Sequence, residues 1–537
     1  MRALVLRTIR TGLVLALSAS CSSSGTSDMP PTDEAVCAAA DVGPPLLRRL
    51  TNLELENTLG DLFPGIKASW QGVKLGVDPV STTGFANDAA VLQVSQQTAQ
   101  EILDTAEEVA GLVTQSAQLA QVLPCSTSGA DRTCAETFIT SYGRRLFRRP
   151  LSATEKADYL SVFDGVLAKS NFATGIKWTL VALIQSPSAI YRSELGVPEG
   201  GARKLTPYEI ATELAYNYSG TTPTAALLDK AERGELSSPA ALQTEAKALL
   251  ESARGQAVVQ QLFRYWFRYE RAASVTRPDL ANYFTVRTSL VQETQRYLDQ
   301  VMLKDRGGIK SLLTADYTFV DQTLATHYGF GSAPSGFVRV SRPPQWGVGL
   351  LAQGSVLAAN AQAQNSSPTQ RGLLVFEKLL CNQRPHPPPN IPALPPSMTG
   401  TTTTRDRYEK QHVADSCRFC HKQFDPIGFT FEHFDEVGRY RANEKGLPID
   451  DSGRVMTASD AVLFETQGLA GLAQTLAARD DVRSCAADMM AIYTFGFSEN
   501  QPRCLIQKIR PELASNETPF VDYLTQLATA AHMTTRR

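Results

Sequence analysis

At 537 residues the chain is long enough for several domains with substantial cores. Its 52 Lys and Arg nearly cancel its 54 Asp and Glu, leaving a net charge of −2 with both signs interspersed. That balance excludes the basic footprint of a nucleic-acid binder, and after the N-terminus no stretch is apolar and long enough to cross a bilayer.

The first 20 residues read as a signal peptide. Arg2, Arg7 and Arg10 precede a short apolar run, Leu13 to Leu17, and then small residues up to Cys21. Ser18-Ala19-Ser20-Cys21 looks like a bacterial lipobox, which makes Cys21 the expected lipidation site, although Ser18 stands where Leu or Val is usual. No Asp follows Cys21, as in lipoproteins sorted to the outer membrane. Ordinary secretion is the alternative. Either way the expected location is the periplasm or outer membrane, with membrane contact only through an N-terminal lipid. Residues 21–44, rich in Ser, Thr and Pro, read as a flexible tether.

Helix signals dominate the rest of the chain, so the expected fold class is mostly α, a multi-domain helical array. Thr51 and Glu54 form a capping box ahead of Leu55, Leu59 and Leu62, and Pro64 stops the run. Asp88 to Leu123 reads as one long helix or a broken pair. Arg144, Arg145, Arg148 and Arg149 stand before Pro150, where they complement a helix C-terminus. Ser152 with Glu155 caps another helix, and Thr206-Pro207-Tyr208-Glu209 does so with Pro at the first helical position. Ser238-Pro239 opens the next. Val259, Leu262, Trp266 and Tyr269 share one face, and Leu290 to Met302 is a further helix. Strand-like alternation is confined to Phe337-Val338-Arg339-Val340. The expected segments are 45–122, 123–196 and 197–330 as three helical domains, then a connector, 331–403. It contains seven prolines between Pro385 and Pro396. Such sequence stays extended and joins or wraps neighbouring bodies.

The last segment, 404–537, holds the motif that speaks most clearly of chemistry, Cys417-Arg418-Phe419-Cys420-His421. C-x-x-C-H is the signature of covalent c-type haem attachment: two thiols three positions apart form thioethers with the vinyl groups, and the next histidine ligates the iron. One haem c is the expected cofactor, bound by Cys417, Cys420 and His421. A zinc site, a redox dithiol and a structural disulfide are the rival readings. The chain has no second C-x-x-C to complete a zinc site and no evident strand-to-helix setting for a dithiol. Met456 is the expected distal ligand, with Met489 and Met490 read as core residues. In Asp425-Pro426-Ile427-Gly428-Phe429, Pro426 presets the backbone, Gly428 permits a tight bend and Phe429 packs on the macrocycle. Arg439 and Arg441 are either propionate partners or solvated residues. Glu432, Asp435 and Glu436 read as turn and surface acids.

Of nine cysteines, six remain after Cys21 and the motif pair, and an even number in an exported chain favours disulfides. Spacing suggests Cys125 with Cys134 and Cys485 with Cys504, leaving Cys37 with Cys381.

Leu47 to Glu54 with Asn57 to Leu62, Arg144 to Leu151, Leu205 to Ala211, Ala315 to Val320, Arg371-Gly372, the motif itself, Asp425 to Phe429 and Cys485 to Gly496 form a series. The series resembles large exported proteins of the planctomycete and myxobacterial type, in which domains of unknown function are strung together with cytochrome c motifs. The resemblance implies export and a C-terminal c-type cytochrome-like helical domain. His433, where the resembling proteins usually carry Asn, reads as a turn histidine. No nucleophile elbow, phosphate loop or zinc-protease motif appears. Three classes of function remain: electron transfer, with the helical body docking a redox partner protein or extracellular substrate; a haem-dependent oxidative enzyme; and a surface-binding or assembly protein with a structural haem or a disulfide in its place.

Overall fold

The computed structural model describes residues 37–38, 41–125, 130–277, 283–331, 335–385, 402–498, 501–510 and 515–537. The expected signal peptide, the expected lipidation site Cys21 and the proline-rich run from residue 386 onward lie outside these residues. The architecture is mostly α, with small two- and three-stranded sheets between helices.

Local signals act where the sequence places them. Thr51, Ser152 and Thr206 each accept from the backbone N–H three residues on, and Glu54, Glu155 and Glu209 return the bond. Each box satisfies two amide donors that a helix start leaves unpaired. The stretch expected from Asp88 is a broken pair, Gln96–Val113 and Ser116–Val122. It starts late because the Asp88 carboxylate accepts from Ala90 N–H, a local turn that competes with the helix. The expected strand is Val338–Ser341, antiparallel to Tyr317–Val320.

One core within residues 50–189 has Leu59, Val113, Leu180 and Ile184 at its centre and Tyr216 joining from the next segment, with a smaller cluster of Phe138, Ile139, Phe163 and Ile176 in the same stretch. A second core crosses the boundary expected at residue 404: Leu214, Leu262, Trp266 and Leu312 share it with Leu472, Met490, Tyr523 and Leu527. Helix Phe520–Leu527 packs against Pro239–Glu251, and Gly468–Ala477 against Ile309–Thr314. The C-terminal segment is therefore built onto the preceding body.

A buried ionic cluster ties the same parts together. Glu194 accepts from Arg48 at 2.8 Å and from Arg536 at 2.8 Å, and all three side chains are sealed from solvent. Arg48 also donates to the carbonyls of Asn87, Phe495 and Gly496. Burial alone would raise the Glu194 carboxyl, but Arg48, Arg536 and Arg192 hold it well below the ordinary carboxylate range. Strand Thr535–Arg536 completes the link by pairing with Ala202–Lys204.

Arg144 and Arg145 lie in the last turn of helix Arg132–Phe147, as expected, and Arg144, Arg148 and Arg149 also have specific partners. Arg144 pairs with Asp229 and Arg149 with Glu155. Arg148, in the left-handed conformation, is buried and donates to the carbonyls of Leu146, Ser188, Ala189 and Tyr191.

Six cysteines pair, but only one pair matches the expectation from spacing. Cys125 is bonded to Cys134. Cys381 is bonded to Cys485 and Cys37 to Cys504, which corrects the expected Cys485–Cys504 and Cys37–Cys381 pairs. Cα separations of 5.3 Å for Cys381–Cys485 and 5.7 Å for Cys37–Cys504 are ordinary for such bonds. The long-range path of the chain, invisible in local spacing, selects these partners.

Candidate haem-attachment site

The motif occupies a short helix, Asp415–His421. At spacings of three and four residues, Cys417, Cys420 and His421 share one helix face. Cys417 and Cys420 stand outside the three disulfides, and both are half-buried. Cys420 packs against a small core of Leu373, Phe376 and Phe424. Burial, and secondarily the neighbouring Cys417, pushes its thiol up.

His421 is held from behind. Its Nδ1 lies 2.9 Å from Asp425 Oδ2, and the same oxygen lies 2.6 Å from Nδ1 of His412. The two imidazole rings stack with centroids 3.5 Å apart and planes at 29°. Asp425 is 4% exposed, and its other oxygen accepts from Thr369 Oγ1 at 2.7 Å. Burial raises this carboxyl, but the bonds from His412 and His421 outweigh it and leave the pKa below the usual value. An ionised carboxylate only accepts, so each ring presents Nδ1–H to it. The ligating groups of His412, His421 and Asp425 all lie within 4.8 Å of one another. His412 is not among the residues expected here: it stands nine positions before His421, and no motif spacing marks it.

Two helices meet through bare backbone to hold this arrangement. Helix Pro368–Lys378 crosses the short helix Asp425–Phe429, and a Cβ at Gly372 would overlap the Phe424 carbonyl. A Cβ at Gly428 would likewise overlap the Pro368 carbonyl. Gly428 thus serves close approach within a helix, not the tight bend expected of it. Beside it, buried Arg371 donates to the carbonyls of Phe431, Phe434 and Asp435. Burial lowers its pKa to about 10 despite Glu432 nearby.

Other expected residues fall differently. Phe429 is buried, with the Arg405 guanidinium 4.6 Å from its ring centre. The aromatic exposed beside the thiols is Phe419, 56% accessible, with Val413 at 70%. Met456 ends strand Ser452–Met456, and its N–H donates to the Lys422 carbonyl at 3.2 Å. That brings its backbone beside the residue after His421. Met489 and Met490 are buried in the main core.

Arg439 pairs with Asp435, while Arg441 pairs with Glu432 and Glu444. Glu432 is 1% exposed, which corrects its reading as a surface acid. It accepts from Ser366 and Arg441, and burial raises its carboxyl. His433 is a turn residue: its Nδ1 meets the Arg441 carbonyl and its ring stacks on Tyr440. A cleft of about 220 Å³ lined by Glu54, Asn57, Arg254, Gln261 and Tyr493 includes none of these residues.

Four family models match in series, each described as a protein of unknown function: DUF1587 over residues 48–115, DUF1595 over 134–194, DUF1592 over 205–330 and DUF1588 over 348–444. The chain carries the planctomycete-type, cytochrome c-like domain array. The DUF1588 match contains Gly372, His412, the motif and Asp425, and ends before Met456. No curated protein and no solved structure matches the chain. Three disulfides fit an exported protein, and among the described residues no helix is long and apolar enough to cross a membrane.

Proposed function

We propose that this chain is an exported c-type haem protein that transfers electrons, with its helical body docking a redox partner or an extracellular substrate. One observation carries the reading: two thiols outside the disulfides share a helix face with a histidine whose Nδ1 is held by a buried carboxylate. This donor set fits haem c, since thioethers need thiols, and an axial imidazole is commonly fixed by a bond at its other nitrogen. The exposed Phe419 and Val413 supply apolar surface for a porphyrin to cover. When bound, the haem would supply a one-electron couple, and the chain's residues would anchor it, orient its ligand and exclude water from one face. Met456 is the proposed distal ligand, and Cys21 the proposed lipid anchor.

Electron transfer is preferred to oxidative catalysis because no acid–base constellation aimed at a substrate accompanies the motif among the described residues. Expression with haem-maturation machinery in a periplasm tests the reading. The expected product has Soret and α bands, a mass increase of one haem, and a reversible one-electron couple without carbon monoxide binding. Cys417→Ser with Cys420→Ser should abolish the covalent mass and keep the helical circular dichroism. A colourless parent protein overturns the proposal; carbon monoxide binding with peroxide turnover favours the oxidative enzyme.

The convergence of His412, His421 and Asp425 favours a second reading, a mononuclear transition-metal site of two histidines and one carboxylate. Stoichiometric metal in protein lacking porphyrin, removed by His412→Ala, would select it.

A further inference from the structure

We infer that Asp425, shared between two imidazoles, sets how strongly His421 donates to a haem iron, and that His412 tempers this effect. The inference rests on the haem reading above and concerns the positioning residues behind the ligand.

An imidazole that gives its Nδ1–H to a carboxylate becomes more electron-rich at Nε2, and a more basic axial ligand favours ferric over ferrous iron. Here the carboxylate is Asp425, 2.9 Å from His421 Nδ1. At 4% exposure its charge is little screened by water, so the bond acts at more than its surface strength. Thr369 pins the second oxygen, which fixes the first toward the rings.

His412 makes the device adjustable. Its Nδ1 approaches the same Oδ2 even more closely, at 2.6 Å, and its ring lies against that of His421. Two donors on one oxygen divide its charge, so His412 weakens the pull of Asp425 on the His421 proton. Removing Asp425's charge and removing His412 should therefore move the potential in opposite directions. A purely structural role predicts no such opposition.

The test is a spectroelectrochemical titration of haem-loaded parent protein, Asp425→Asn and His412→Phe. Phe keeps a ring against His421 and removes the competing donor. Asp425→Asn should raise the potential enough to increase the reduced-to-oxidised ratio at least tenfold at fixed applied potential, which is 59 mV for one electron. His412→Phe should lower that ratio, by about threefold or more.

Potentials of both variants within twofold of the parent, in ratio terms, would overturn the inference, as would shifts of the same sign. Should Asp425→Asn fail to fold, His412→Phe decides alone, since an unchanged or raised potential there is incompatible with charge sharing. A parent protein without porphyrin instead removes the haem reading, a result visible before any titration.

Discussion

At the residue scale, stability concentrates in charges that solvent does not reach. Glu194 faces Arg48, Arg192 and Arg536, so removing its charge leaves buried guanidinium groups uncompensated. Glu194→Gln should cost about 3–5 kcal/mol in urea unfolding at pH 7. The pH dependence comes from its depressed folded-state pKa. The contribution is complete above the unfolded value near 4.5 and disappears as pH falls through the lower folded value. The difference between parent and Glu194→Gln should thus shrink on acidification below about pH 4. A difference that grows there would contradict the assigned shift. Asp425 has the same sign, whereas burial moves Glu432 the other way. None of these environments was legible in the sequence: Glu432 lies in a turn-rich stretch that reads as surface, and His412 carries no spacing signal.

At the element scale, local rules performed well and packing rules were hidden. The capping boxes at Thr51, Ser152 and Thr206 were readable because both partners lie within four residues. Thr51→Ala should lower stability by about 1 kcal/mol, measured by thermal or urea unfolding. Gly372 and Gly428 act in a different way. Each lets one helix touch the other's backbone, and neither needs a left-handed conformation. Gly372→Ala or Gly428→Ala should cost about 1–3 kcal/mol or more by forcing the helices apart. Because Cys420 packs on residues of this crossing, the same variants should also lower the yield of covalent haem. Full yield with full stability would show that the crossing tolerates a methyl group.

At the scale of the whole molecule, the C-terminal segment closes onto the middle of the chain and is tied to Cys37. Non-reducing peptide mapping should recover Cys381 with Cys485 and Cys37 with Cys504. The Cys381–Cys485 bond spans 104 residues, so its removal by paired serine substitution should cost up to about 4–5 kcal/mol in a chain-entropy account. Since Leu472, Met490, Tyr523 and Leu527 belong to a core begun by Leu214 and Trp266, the isolated 404–537 fragment should lack a cooperative unfolding transition. A sharp transition in that fragment would show that it can bury its own apolar faces.

The amino-acid sequence alone determined the helical class, the helix starts marked by capping boxes and the chemistry available at Cys417, Cys420 and His421. These depend on periodicity, capping and spacing, interactions completed within a few residues of one another. Tertiary structure alone decided which cysteines pair, why Gly428 is a glycine, and which carboxylate stands behind His421 with His412 competing for it. Those outcomes depend on where distant or unmarked segments come to lie, and burial then amplifies the charges and contacts that meet there.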